Sequence, residues 1–168
     1  MTTTPPCARG VVVYRWTSCT PSPAVAARAV LRRVLARLHL PEDTVSDCVL
    51  AASELVANAT EHACGPYELR LRRTRAEYIC EVRDGDSEIP DLPAFPATSP
   101  FAPVEAARGG GLDALCALLS ERGRGLQIVN ELARGAWGMR SDSPNGKFVW
   151  FAFSAQANRS SRPSSTIE

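Results

Sequence analysis

The chain has 168 residues, of which 45% are hydrophobic and 22% charged, and its formal net charge is +1 at pH 7. This length has room for one domain with a core and gives no reason for two. The near-neutral charge excludes a general polyanion-binding field, so we expect no direct nucleic-acid partner. The start MTTTPPCARG lacks a signal-like apolar segment and nowhere do 18 apolar residues run together. We therefore expect no membrane partner and a cytoplasmic location.

The six cysteines do not form a recognisable metal or disulfide framework. They are widely spaced and include no CxxC pair, which argues against a zinc site. In a reducing cytoplasm we expect most of them to behave as small hydrophobic residues. Their positions are Cys7, Cys19, Cys48, Cys64, Cys80 and Cys116.

A strand and an amphipathic helix open the predicted fold. VVVYRW, residues 11–16, is short and rich in β-branched residues, which predicts a strand. Ser22-Pro23 then stands in the order of a helix start, and apolar residues follow at helical spacing up to Leu40-Pro41. The predicted apolar stripe comprises Val25, Val30, Val34 and Leu38, with Leu31 and Leu35 beside it.

The second helix combines a buried-looking face with a polar stripe. Glu42 and Asp43 suit the positive end of the dipole in its first turn, and we expect the helix to run to Cys64 and stop at Gly65-Pro66. One narrow face is apolar. It comprises Val45, Val49, Ala52, Val56, Ala59 and Ala63.

Beside that face, Glu54, Asn58 and His62 follow each other at a spacing of four, so they form one line along the helix. The spacing alone is equally typical of the solvated face of a surface helix. The stripe therefore needs companions before it indicates a site.

The remaining chain predicts a hairpin, a long loop, a third helix and two closing strands. YELRLRRTR and AEYICEVRD alternate around a turn at 74–77, and residues 86–111 contain five prolines and three consecutive glycines. One or two helical turns are expected at 112–120, a glycine-led helix at 123–133, strands at 135–142 and 146–153, and disorder from about 156.

Two further features accompany the polar stripe. Asp84 lies where a predicted strand exits into the loop, and the sequence Gly123-Arg124-Gly125-Leu126 opens the third helix. A glycine-led helix start offers unpaired N–H groups and a positive dipole end, which suit phosphate. A carboxylate–amide stripe, an aspartate and this helix start, in that order, form a specific combination.

The combination resembles the ATP-binding domain of the GHKL superfamily, and within it the short bacterial serine kinases that act as anti-sigma factors. The resemblance spans Val11 to Phe153. SELVANATEH is similar to the asparagine box of that family, DGD and ERGRGLQIVNELA to its two glycine boxes, and GAWGMRSDSPNGKFVWFAF to its last two strands.

The resemblance implies a fold of the α/β class, a two-layer α+β sandwich of the Bergerat type. Its sheet is expected to be mixed but largely antiparallel, with helices covering one face. The domain would occupy residues 11–154 with a lid at about 87–122, between a flexible N-terminus (1–10) and a disordered tail (155–168).

The resemblance also implies ATP and Mg²⁺ as cofactors. Glu54 would be the general base and Asn58 the Mg²⁺ ligand. Asp84 would accept a hydrogen bond from the adenine amino group, and His62 would either touch phosphate or hold the pocket wall. The remaining nucleotide-binding residues would be Gly85 and Asp86 beside the adenine, and Gly123, Arg124, Gly125 and Leu126 along the triphosphate.

Two departures from the family pattern predict modest ATP affinity. The second glycine of the first glycine box is missing, because Asp86-Ser87-Glu88 stands there. Phe148 stands where the family commonly has a threonine whose hydroxyl lies near adenine. Losing that polar contact would cost about 1 kcal/mol. The lid is also long, which fits either a neutral insertion or a gate over the phosphates.

Three functions follow as alternatives. The first is an anti-sigma factor and serine/threonine kinase that sequesters a sigma factor, phosphorylates an anti-anti-sigma protein and forms a homodimer. The first helix carries Arg28, Arg32, Arg33 and Arg37. These arginines would either face the protein partner or simply form a solvated face of the helix. The second is a catalytically silent ATP-binding regulator. The third is the catalytic domain of a split histidine kinase, which fits least because only about ten residues precede the first strand.

Overall fold

The computed structural model describes residues 10–89, 124–142 and 144–155. The expectations for the N-terminal segment, for residues 90–123 of the lid and the helix start, and for the tail after residue 155 lie outside these described residues. The predicted site residue Gly123 therefore also lies outside the described residues. The elements are β1 (Val11–Trp16), α1 (Pro23–Ala36), α2 (Glu42–His62), β2 (Tyr67–Arg73), β3 (Glu77–Asp84), α3 (Arg124–Leu132), β4 (Trp137–Ser141) and β5 (Lys147–Ser154).

The five strands form one open sheet in the order β1-β2-β3-β5-β4. Each neighbouring pair is antiparallel, so the α+β expectation is confirmed, and the described sheet is antiparallel rather than mixed. The hairpin turn is closed by the Thr74 N–H, which donates to the Glu77 carbonyl at 2.8 Å. None of the helices in the described ranges is long and apolar enough to cross a membrane.

The core lies between one face of the sheet and the helix layer. Side chains alternate along a strand, so every second residue of the central strands faces the helices. α2 supplies the opposite wall, and α1 and α3 pack against α2. Burial of these apolar side chains drives folding. The sheet contributes Tyr67, Leu69, Leu71, Tyr78, Cys80, Val82, Val149 and Phe151.

The start and the buried stripe of α1 differ from expectation. Ser22 makes no side-chain capping bond and has φ of 47°, so the cap-like order does not produce a cap. Val25 is 55% exposed, whereas Ala27, Leu31 and Leu35 are buried. The helix is rotated so that its leucines face the core, because these larger side chains remove more apolar surface from water.

Helix α2 ends at His62, two residues before the predicted Cys64. The backbone already leaves the helix at Ala63, whose carbonyl accepts a hydrogen bond from the Tyr67 hydroxyl at 2.8 Å. The Cys64 carbonyl accepts the Gly85 N–H at 2.7 Å. These bonds tie the helix end to β2 and to the exit of β3, and so bring Asp84 next to the last turn of α2.

Candidate functional site

A cavity of about 460 Å³ lies where the last turns of α2, the exit of β3, the start of α3 and the ends of β4 and β5 meet. This volume falls in the range of about 300–1,000 Å³ that is usual for small-molecule sites. Its wall combines apolar side chains with a few polar ones at the rim and ends. The lining residues are Leu55, Asn58, Ala59, His62, Ala63, Asp84, Asp86, Glu88, Leu126, Met139, Lys147 and Val149.

The structure gathers five of the predicted site residues on this wall, from three segments of the chain. They are Asn58, His62, Asp84, Asp86 and Leu126. The other described site residues lie beside the cavity without lining it. Gly85 bonds to the end of α2, Arg124 is exposed on the first turn of α3, and Glu54 and Gly125 meet each other where α2 and α3 pack.

Helix α3 begins directly against the polar stripe of α2. A Cβ atom added to Gly125 would stand 3.0 Å from Glu54 Oε2 and 4.0 Å from Asn58 Nδ2. Gly125 is buried, and the absence of a side chain lets α3 approach this closely without displacing Glu54. The predicted base, the predicted Mg²⁺ ligand and the N–H groups of a helix start therefore share one junction.

At the other end of the cavity Asp84 is a buried carboxylate, 2% exposed. Its Oδ1 accepts the Asp86 N–H at 2.9 Å and the Lys147 ammonium at 3.1 Å. Burying a carboxylate is costly unless it is paired and hydrogen-bonded, and these two donors offset that cost. Asp84 is thus held as an acceptor at the end of a mostly apolar cavity.

Lys147 is a residue of this site that sequence reasoning missed, as it missed the apolar wall residues Leu55, Met139 and Val149. The only local signal was its place after Gly146, at the head of the closing strand. Its proximity to Asp84 depends on the pairing of β3 with β5, in which Lys147 and Asp84 are direct partners. A Cβ on Gly146 would stand 2.2 Å from the Asp84 carbonyl, so glycine is required for this close strand approach.

The expectation that Phe148 takes the place of a threonine near the adenine is wrong. Phe148 lies on the opposite face of β5, because neighbouring residues of a strand point to opposite sides. It is buried there beneath two guanidinium groups, with Arg70 4.9 Å and Arg140 3.9 Å from the ring centre. Lys147 is the residue of β5 that faces this end of the cavity.

The loop after β3 is organised by side-chain bonds where the second glycine was missing. The Glu88 N–H donates to Asp86 Oδ1 at 3.1 Å, and the Lys147 ammonium lies 3.5 Å from Asp86 Oδ2. The hydrogen bond from Glu88 and the charge of Lys147 lower the pKa of Asp86. Asp86 therefore stays charged and forms a second ion pair with Lys147, beside the one with Asp84.

His62 lines the cavity at its outer edge. Its side chain is 43% exposed and its Nε2 lies 3.8 Å from Glu61 Oε2. This position is compatible with both predicted roles, contact with phosphate and support of the wall.

The donor set suits Mg²⁺ held jointly by the protein and a nucleotide. Within the described ranges no three His, Cys, Asp or Glu side chains cluster as a metal site. A Mg²⁺ ion bound through one amide oxygen and phosphate oxygens needs no such cluster, since this ion usually keeps waters and substrate oxygens as ligands.

Sequence comparison agrees with this architecture. Residues 17–153 match the histidine kinase-like ATPase domain, which covers well over half of the chain and contains every residue that lines the cavity. No curated protein matches the chain. The chain therefore belongs to the histidine kinase-like ATPase domain family, and it has the ATP-binding fold of that family.

Proposed function

We propose that the chain is an anti-sigma factor and protein serine/threonine kinase, which uses ATP and Mg²⁺ to phosphorylate an anti-anti-sigma protein. The observation that carries the proposal is the arrangement of one cavity between two polar ends. Asp84 lies buried at one end, and Glu54 and Asn58 meet the start of α3 at the other. A base-binding group and a phosphate-binding group are thus separated by apolar walls.

The cavity wall fits an adenine nucleotide. Asp84 would accept from the exocyclic amino group, and Leu126, Met139 and Val149 offer apolar surface for the faces of the base. The N–H groups of the first turn of α3 supply donors for the phosphates, and the helix dipole favours their charge. The junction with α2 keeps that turn beside Asn58.

The chemistry requires positioning and charge neutralisation more than covalent help. Asn58 would hold Mg²⁺ through its side-chain oxygen, and the bound ion would neutralise phosphate charge. Glu54 would take the proton from a serine or threonine hydroxyl of the acceptor protein, while the oxygen of that hydroxyl bonds to the γ-phosphorus. The bond from that phosphorus to the bridging oxygen breaks, and ADP leaves with the electron pair.

The exposed side of α1 supports an acidic protein partner. Arg28, Arg33 and Arg37 are exposed and form no ion pair with the residues that the structure describes, whereas Arg32 bonds Glu42 at 2.8 Å. Unpaired surface charge of one sign speeds association with an oppositely charged surface. We propose this surface as the sigma-factor contact, in a chain that forms a homodimer.

Calorimetric titration with ATP tests the nucleotide site first. The native chain should bind ATP in a Mg²⁺-dependent manner. Asn58→Ala should lose the Mg²⁺ dependence and Asp84→Asn should lose most of the affinity, because they remove the metal ligand and the paired acceptor. Asp43→Ala, an exposed change in the first turn of the same helix, is the matched control. A native chain without ATP binding would overturn the proposal.

Transfer of label from γ-³²P-ATP to purified anti-anti-sigma proteins tests the kinase reaction. Glu54→Gln should bind ATP but transfer no label, while Asp43→Asn should act like the native chain. Acid-stable label on the acceptor is expected for serine or threonine, and acid-labile label would favour a histidine kinase. ATP binding without any transfer would favour the catalytically silent regulator.

A further inference from the structure

Lys147 and Asp84 form a buried donor–acceptor pair at the end of the cavity where β3 and β5 meet. They are cross-strand partners on the same face of the sheet, and each of their side chains is less than one-tenth exposed. Both line the cavity. A lysine in such a position is expensive to bury, so its contacts indicate what holds it there.

Those contacts surround the Lys147 ammonium with three acceptors but leave one oxygen of Asp84 uncommitted. The ammonium donates to Asp84 Oδ1 at 3.1 Å and to the Asp86 carbonyl at 3.4 Å. Its third N–H faces Asp86 Oδ2 at 3.5 Å, the longest of the three contacts and one made by a carboxylate that is 42% exposed. Asp84 uses only Oδ1 for its hydrogen bonds, and its Oδ2 accepts none from the residues that the structure describes. A donor whose weakest contact a ligand can replace thus lies beside a free acceptor.

We propose that Lys147 is a specificity-determining residue, whose ammonium donates to the ring nitrogen N1 of adenine while Asp84 Oδ2 accepts from the exocyclic amino group. This inference rests on the ATP binding proposed above and adds a second base-reading group to it. The edge of adenine presents a donor next to an acceptor, which matches the pair. On guanine the same two positions carry an acceptor and a donor, so both contacts become repulsive.

Lys147 would therefore do more than neutralise the charge of Asp84. A neutralising role alone affects every purine nucleotide equally. A base-reading role is expressed only with ligands that carry an acceptor at N1, which provides a readout that a structural role would not move.

The test compares ATP with 1-deaza-ATP, in which a C–H group replaces N1, by calorimetry in the presence of Mg²⁺. The native chain should bind ATP about tenfold more tightly, the worth of one charge-assisted hydrogen bond. In Lys147→Met, which keeps the length of the side chain, the affinity ratio should fall to near one. Arg83→Met is the control. Arg83 precedes Asp84 in β3, and its side chain lies on the opposite face of the sheet, where its Nε is 2.7 Å from Asp142 Oδ2. The affinity ratio of Arg83→Met should equal the native one.

The outcomes separate this inference from the proposed function. Equal affinity of the native chain for both ligands overturns the role of Lys147 and leaves ATP binding intact. This measurement needs no variant, so it decides even if Lys147→Met does not fold. A ratio that persists in a folded Lys147→Met protein means that another group reads N1, and it also overturns the inference. Absence of ATP binding overturns both proposals.

Discussion

Gly125 lies so close to Glu54 that a Cβ atom on this glycine would stand 3.0 Å from the carboxylate oxygen Oε2. The start of α3 therefore limits the space available to the Glu54 side chain, although neither Gly125 nor Glu54 lines the cavity. A single methyl group added to Gly125 should therefore affect phosphate transfer and folding stability to different extents.

Gly125→Ala should lower phosphate transfer while leaving the fold stable. The added methyl displaces the Glu54 side chain by a few tenths of an ångström, and small misplacements of a catalytic group reduce rates by about tenfold. The unfolding free energy should change by about 1 kcal/mol or less, since alanine is a better helix former than glycine. Label transfer and urea unfolding measure the two quantities.

Gly135→Ala is the matched control with the opposite pattern. Gly135 has φ of +78° and a Cβ there would meet nothing within 4 Å. Alanine at positive φ should cost about 1 kcal/mol of stability without affecting transfer. Equal transfer by native chain and Gly125→Ala would show that Glu54 does not need its observed position.

Glu81→Ala should destabilise the sheet by about 3 kcal/mol, because it leaves a buried charge without its partner. Glu81 is 2% exposed, and its Oε1 accepts from Arg72 at 3.2 Å and from Arg140 at 3.4 Å. The double change Arg72→Met with Glu81→Met should cost less than Glu81→Ala, since no buried charge remains unpaired. Urea denaturation at pH 7 measures both, and an equal or larger loss in the double variant contradicts this account.

Glu68 should contribute stability that disappears in acid. Burial raises the pKa of Glu68. The hydrogen bonds from Arg15 at 2.9 Å and from Arg70 lower it by more, so the pKa of Glu68 lies below 4.5. A depressed pKa in the folded chain gives stability that is complete above the unfolded value and is lost as the pH falls through the folded one. The range from about pH 6 to about pH 3 brackets the ordinary pKa of a glutamate. Over this range the unfolding free energy of Glu68→Gln should fall less steeply than that of the native chain. Parallel slopes for the two proteins would exclude this role.

The exposed and buried thiols should react at very different rates. Cys48 and Cys80 are buried, which raises the pKa of both thiols far above the ordinary value, whereas Cys19 and Cys64 are exposed. The thiolate is the reactive form. In a variant with Cys7→Ser and Cys116→Ser, a disulfide reagent should label two thiols in the native state and four in urea. Rapid labelling of all four in the native state would contradict the buried placement.

Much of the site was predictable because its parts are local. The helical spacing of Glu54, Asn58 and His62, the strand exit at Asp84 and the glycine at the start of α3 each follow from a few neighbouring residues. At the site, the expectation about Phe148 was wrong, and it failed for a physical reason. A shift of one residue in the assignment of a strand moves every side chain to the other face of the sheet.

The sequence by itself determined the elements, since helix periodicity, strand alternation and glycine positions are properties of short segments. Only the tertiary structure decided that β5 lies between β3 and β4. That order brings Lys147 to Asp84 across 63 positions of sequence, and it brings α3 onto the polar stripe of α2. Such contacts depend on strand order and register, which long-range packing fixes and no local pattern encodes.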